Sequence, residues 1–184
     1  MTFEDGATLR LPAGISAGDA LRARAESGGS RKQVKRAIAA RVEADAAAVV
    51  DLSRALVRDC RLAAVAPESA DGLEVIRHSS AHVMAQAVKR LFPETGITIG
   101  PVIEHGFYYD FKRPAGFTPE DLVQIEETMR AIVKEDLPVR REEVAKAEAI
   151  RRFAAMGEHY KVEIIEGIPG DPVSLYHQGE FVDL

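Results

Sequence analysis

Residues 72–93 read GLEVIRHSSAHVMAQAVKRLFP, and the organisation of the whole chain can be worked out from them. Leu73, Ile76, Val83, Met84, Ala87, Val88 and Leu91 fall on one broad arc at about 100° per residue, so the stretch is expected to be a helix with that arc as its core face. His78 and His82 stand one turn apart on the other side, near Val75, Ala85, Gln86 and Lys89. Two imidazoles are therefore presented together, away from the helix's own apolar stripe. Either they meet solvent, or another element of the chain closes over them and makes a cleft.

The 184 residues suffice for one large domain or two small ones. Hydrophobic residues make up 46% and charged residues 29%, the balance of a soluble globular protein. There is no apolar run long enough for a membrane span, and the first residues, MTFEDGATLRLPAG, lack the basic leader and apolar segment of a secretory signal. The one cysteine, Cys60, excludes an internal disulfide, fits a reducing cytoplasm, and is expected in the core beside Val57 and Leu62. The net charge of −5 is unevenly spread. Residues 1–66 hold 11 basic against 8 acidic side chains, and residues 67–184 hold 13 against 21. A uniformly basic nucleic-acid binder is thereby excluded. Arg31, Lys32, Lys35, Arg36 and Arg41 are close enough in sequence to form a local basic patch, or to face water as charge runs usually do.

Taken in order, residues 1–66 look like a small mixed unit. Asp5-Gly6 predicts a turn between Met1–Phe3 and Ala7–Leu11. Ser16 can cap a helix from Ala17 to Glu26 that stops at Gly28-Gly29-Ser30. Short strand-like pieces follow at 37–42, 49–52 and 60–65. A hairpin, a helix and further strands is the order of a β-grasp fold. The polar segment 66–71, with Pro67, marks a domain boundary. After the histidine helix, 97–103 and 107–111 predict a hairpin around Glu104-His105-Gly106, with Gly100-Pro101 as a kink, bulge or edge position. Thr118-Pro119-Glu120-Asp121 opens a second helix, carried to about Lys134 by Leu122, Ile125, Met129, Ile132 and Val133. A short strand is expected at 137–139, a third helix over 142–156 ending at Gly157, a strand over 160–165, and a last hairpin, 173–176 with 181–184, around Gln178-Gly179.

HxxxH on a helix can supply two imidazoles to a zinc ion, or a general base with an orienting partner, or merely line a surface. A zincin would need Glu after the first histidine; here that residue is Ser79. A zinc site would have to draw further ligands from His105, His159, His177, Cys60 or carboxylates. Lys161, on the expected strand, faces either solvent or the histidine cleft, where its ammonium could hold a water or a developing oxyanion. Tyr108 and Tyr109 point to opposite faces of their strand, one into the core and one able to present its hydroxyl. Asp183 in the last strand is otherwise a turn or edge carboxylate.

IRHSSAH at 76–82, IGPVIEHGFYYDF at 99–111, HYKVEII at 159–165 and FVDL at 181–184 together resemble the N-terminal region of bacterial threonyl-tRNA synthetases, in order and along essentially the whole chain. The resemblance implies an α+β chain of two domains. Over 1–66 it implies a ubiquitin-like β-grasp module of the TGS type. Over 67–184 it implies the editing domain shared by threonyl- and alanyl-tRNA synthetases, with an antiparallel sheet and helices, shortened at its C-terminal end. Such a domain hydrolyses serine mischarged onto threonine tRNA. Serine lacks one methyl, which a synthetic pocket can reject by only about 1–3 kcal/mol, so a second site must supply the rest. By motif position, His78 and His82 are the paired imidazoles, and Lys161 with His78 positions or activates the attacking water. Tyr109 and Asp183 bind the seryl group and the terminal adenosine of the tRNA acceptor end. Lys32, Lys35 and Arg36 are candidates for contact with the tRNA.

In the family, FVDL is followed by Cys, three residues and His, which complete the cluster. These residues and the aminoacylation domain, with its ATP, Mg and Zn, are expected to lie beyond the 184, so no cofactor and no synthetase activity are expected within them. The parent enzyme is expected to be a cytoplasmic homodimer. Two alternatives stand beside this: a zinc-dependent alanyl-tRNA deacylase with its metal on His78 and His82, and a non-catalytic tRNA-binding module that depends on Lys32, Lys35 and Arg36.

Overall fold

The computed structural model describes residues 1–44 and 47–184. The chain divides into two compact units, Met1–Ile76 and Arg77–Leu184, with the division falling inside the histidine helix. Helices and small sheets are mixed in both, an α+β arrangement as expected.

In the first unit the Asp5-Gly6 turn forms, with Gly6 at φ +81° and the Phe3 N–H bonded to the Ala7 carbonyl. It follows β1 (Thr2–Phe3); its second arm is only a bridge from Thr8 to Thr2. After β2 (Ile15–Ser16), the Ser16 hydroxyl accepts the Asp19 N–H and starts α1 (Ala17–Glu26), the helix the sequence predicts. Ser30 caps α2 (Arg31–Arg36) in the same way, so the basic stretch is a helix in its own right. Then come β3 (Ala39–Glu43), β4 (Ala47–Val50), β5 (Ala55–Leu56) and β6 (Arg61–Val65). The main sheet has the order β1-β6-β3-β4, with β1 parallel to β6 and the other pairs antiparallel, while β2 pairs with β5. Alternation turns Phe3, Ala40 and Leu62 towards Ala17, Ala20 and Leu21 of α1, and Cys60 lies in that core.

The histidine helix, α3 (Ala70–Leu91), starts where the Ser69 hydroxyl accepts the Gly72 N–H. A Cβ on Gly72 would lie 2.0 Å from the Ala66 carbonyl oxygen, so this tight entry into the helix requires glycine there. The expected core arc holds for Val83, Met84, Ala87, Val88 and Leu91, which pack with Ile125, Met129 and Ile132 of α4 (Pro119–Lys134). It fails for Leu73 and Ile76, which are 43% and 40% exposed, because the stripe that α4 covers begins only at Val83. Between these helices, β7 (Gly96–Ile97) pairs with β10 (Phe111–Lys112), and β8 (Val102–Ile103) with β9 (Gly106–Phe107). They are two ends of the expected hairpin, interrupted at Gly100-Pro101, where proline has no N–H for a ladder. Thr118 opens α4 with a capping box to Asp121, as its sequence predicts.

Two expectations fail further on. The third helix does not begin at Glu142: Val139–Val144 is a strand, β11, and only α5 (Lys146–Ala155) is helical. Six residues of cross-strand pairing override the helix preference of Glu142-Glu143. The segment from Tyr160 to Ile165 is not a strand but part of α6 (His159–Gly167). Its buried side chains, Lys161 and Ile165, are four apart; the helical period was the stronger pattern, and the alternation of Tyr160, Val162 and Ile164 the weaker one.

The chain then forms β12 (Val173–Gln178) and β13 (Phe181–Asp183), the expected hairpin, which joins β11 in an antiparallel sheet of order β11-β12-β13. One face of it, with Val144, Val173 and Leu175, packs on Ala149, Phe153 and Ile165 of α5 and α6. By alternation the other face carries Arg141, Tyr176 and Asp183, which are cross-strand neighbours. Among the described residues no helix is long and apolar enough to cross a membrane.

Candidate functional site

That second face lies against the imidazole side of α3, within the second unit. His82 Nδ1 is 2.8 Å from Asp183 Oδ2, and His82 Nε2 is 3.0 Å from His78 Nε2. The Tyr109 hydroxyl donates to Asp183 Oδ2 at 2.9 Å and accepts from Lys161 Nζ at 2.8 Å. Lys161 also pairs directly with Asp183 Oδ1. Their side chains are only 5% and 1% exposed, so this is a buried ion pair, and burial is tolerated because each Asp183 oxygen accepts from two donors and the ammonium has a second acceptor in the Tyr109 hydroxyl. The Leu184 N–H fills another acceptor position of Asp183. The Tyr176 ring stands 5.5 Å from the His82 ring and 6.1 Å from that of His78.

Burial alone would raise the Asp183 carboxyl, but the hydrogen bond from His82 and the charge of Lys161 outweigh it and hold the group at about 2. Burial and the neighbouring Asp183 charge push the Tyr109 phenol far up, so it remains a protonated donor. An ionised Asp183 only accepts, which assigns the proton of neutral His82 to Nδ1 and a lone pair to Nε2. With His82 in that form, His78 donates across the 3.0 Å contact through Nε2–H. In this tautomer of the pair the basic nitrogen is Nδ1 of His78. A carboxylate that orients one imidazole, which in turn orients a second, is an arrangement suited to general-base chemistry on a water.

The structure brings together five residues singled out from the sequence: His78, His82, Tyr109, Lys161 and Asp183. Lys161 faces the cleft rather than solvent, but it arrives from α6 and not from a strand. Of the two tyrosines Tyr108 is the exposed one, and Tyr109 is both the packed ring and the one that presents its hydroxyl to the site. Lys32, Lys35 and Arg36 are elsewhere, on α2 of the first unit, with Arg36 paired to Glu68. The other possible zinc ligands do not join the histidines. His105 is at the exposed hairpin tip, His177 is on the sheet's other face bonded to Glu142, and Cys60 is in the first unit's core. Among the described residues no three His, Cys, Asp or Glu side chains are grouped to hold a metal ion, and both ring nitrogens of His82 are engaged by protein neighbours. As placed, this donor set does not fit a zinc ion.

Two residues of the site escaped the sequence. Tyr176 was legible: a turn at Gly179-Glu180 pairs 178 with 181 and hence 176 with 183, on one face. Gln86, 3% exposed, lies one turn beyond His82 and donates through Nε2 to the Gln178 carbonyl at 3.3 Å, while its Oε1 has no partner. Nothing in its spacing separates it from an ordinary helix-surface glutamine.

No protein-family model matches the chain. It is similar to the threonine–tRNA ligase of Acidithiobacillus ferrooxidans, at 62% identity over 135 residues, 73% of this chain and 21% of that protein. It is similar to the enzyme of the same name from Azoarcus sp., at 56% over 151 residues, 82% of this chain and 23% of that protein. To that of Citrifermentans bemidjiense it is 49% identical over 184 residues, 100% of this chain and 28% of that protein. The chain thus spans no more than 28% of the length of these relatives. Along its whole length, then, the chain belongs with the threonine–tRNA ligases, as a counterpart of their N-terminal region.

Proposed function

We propose that the second unit hydrolyses serine wrongly esterified to threonine tRNA, as the editing part of a ligase that charges that tRNA with threonine. The observation that carries this is the unbroken run Asp183–His82–His78, backed by Tyr109 and Lys161, at the positions the editing motifs single out. Asp183 orients His82, His82 orients His78, and His78 takes a proton from water. The water oxygen attacks the ester carbonyl carbon. The bond from that carbon to the ribose oxygen breaks, the ribose oxygen takes up the proton, and serine leaves as its acid. Lys161 bears on this step through its neighbours, keeping Asp183 charged and the Tyr109 hydroxyl oriented. Asp183 and Tyr109, whose polar atoms already bond His82, Lys161 and one another, act on the seryl moiety through the imidazoles they hold in place, with the Tyr176 ring as a wall.

The mixed sheet with α1 across it in the first unit supports a β-grasp module of the TGS type, and exposed Lys32 and Lys35 are its candidates for tRNA contact. The test has two parts. A non-hydrolysable 3′-serylamino adenosine should shift the imidazole resonances of His78 and His82, and its threonyl counterpart should do so more weakly. Hydrolysis of seryl-tRNA(Thr) should fall by on the order of 10²-fold or more in His82→Ala. Binding that leaves both imidazoles untouched, or hydrolysis indifferent to His78→Ala and His82→Ala, would overturn the proposal.

A further inference from the structure

Gly100 is not a glycine for conformational reasons. Its φ is not positive, so no left-handed backbone demands glycine there. What it lacks is room. A Cβ at this position would stand 2.2 Å from Cδ2, 2.6 Å from Cε2 and 2.9 Å from Cγ of the Tyr109 ring, well inside contact distance. That ring cannot slide away freely. It stacks on Phe111 with centroids 4.8 Å apart and planes 15° from parallel, and its hydroxyl is held from two sides, by Lys161 Nζ and Asp183 Oδ2. Any displacement that admits a methyl group must stretch those two hydrogen bonds or break the stacking.

We propose that Gly100 is a positioning residue of the site: its missing side chain is the slot that seats the Tyr109 ring and so fixes the phenol between the ammonium of Lys161 and the carboxylate of Asp183. It touches no reacting atom and acts only through Tyr109. This also gives a physical reason for the break between the two halves of the hairpin. The ladder is interrupted at Gly100-Pro101, and the bare backbone there lies against a side chain from the opposite strand instead. The inference deepens the hydrolytic reading in its activity arm but does not depend on it for its structural arm.

The experiment is a double-mutant cycle on the 184-residue chain, using Gly100→Ala, Tyr109→Ser and both together, read in two ways. The first readout is the titration of the Asp183 carboxyl followed by 13C NMR, which needs no substrate. Loss of the phenol donor should move that titration to higher pH in Gly100→Ala and in Tyr109→Ser, and adding Gly100→Ala to Tyr109→Ser should move it no further. The second readout is kcat for seryl-tRNA(Thr), expected to fall by on the order of 10²-fold in Gly100→Ala and to show no further fall when the change is added to Tyr109→Ser. An unmoved Asp183 titration in Gly100→Ala, or an effect of Gly100→Ala that persists undiminished in the Tyr109→Ser background, would overturn the role. Should Gly100→Ala fail to fold, the double variant decides: with the ring gone it should fold, and its failure would show that the methyl group clashes with something else. If neither the parent chain nor a chain extended past Leu184 by the family's Cys and His hydrolyses seryl-tRNA while the titration cycle closes, the hydrolytic reading falls and the slot stands.

Discussion

On one side of α3, Val83, Met84, Ala87, Val88 and Leu91 lie against α4; on the other, His82 and Gln86 lie against the β12–β13 hairpin. Ala85 and Gln86 on the second side are as well covered as Ala87 and Val88 on the first. The two sides are buried on different terms. Apolar burial stabilises by the area removed from water and tolerates imprecise contacts, at about 25 cal/mol per Å². Polar burial stabilises only while each donor and acceptor is matched, and it is penalised for every one that is not. The same helix therefore carries a forgiving face that holds the unit together and an exacting face that holds a chemistry.

The largest expected contrast comes from removing one partner on each side. Asp183→Ala strands the Lys161 ammonium in the interior and should cost about 3–5 kcal/mol of unfolding free energy in urea, with loss of seryl-tRNA hydrolysis. Ile132→Ala leaves a cavity on the α4 side and should cost about 2–5 kcal/mol while leaving the rate per folded molecule unchanged. If Ile132→Ala abolished hydrolysis as well, the two sides would not be separable.

A smaller effect separates them by pH. Asp183 is held at about 2 against an ordinary 3.8, so its contribution is complete above pH 4 and is lost as pH falls from about 4 towards 2. About 2 kcal/mol should disappear over that window in urea unfolding, and Asp183→Asn should flatten this part of the profile whereas Ile132→Ala should keep it. The smallest effect belongs to Gln86→Leu, which gives up one 3.3 Å hydrogen bond but also removes an unpartnered oxygen. Its urea midpoint should correspond to a change within about 1 kcal/mol in either direction. A loss as large as that of Ile132→Ala would mean that both sides of α3 are buried on the same terms.

Much of this was legible in the order of residues, and the rest was set by contacts with other elements. Caps and turns were clearest, because Ser16, Thr118 and Asp5-Gly6 act within a few residues of themselves. Leu73 and Ile76 fall outside the stripe that α4 covers, and the state of β11 and α6 is set by other elements: β12 for Glu142 to Val144, and the core around Phe153 for Ile165. The site shows the same division. His78 and His82 are visible as a pair because a helix sets their spacing, and motif resemblance supplied Tyr109, Lys161 and Asp183. Tyr176 needed the hairpin register, and Gln86 needed the three-dimensional contact itself.

Asp183 sits between Val182 and Leu184, both of which turn to the opposite, apolar side of their sheet. A slip of the final hairpin by a single residue would exchange their places, driving a carboxylate into hydrocarbon and leaving a buried ammonium facing an isopropyl group. The group that anchors the imidazoles thus also proofreads how the last two strands align, and misaligned folding intermediates are penalised by the same charge the chemistry requires.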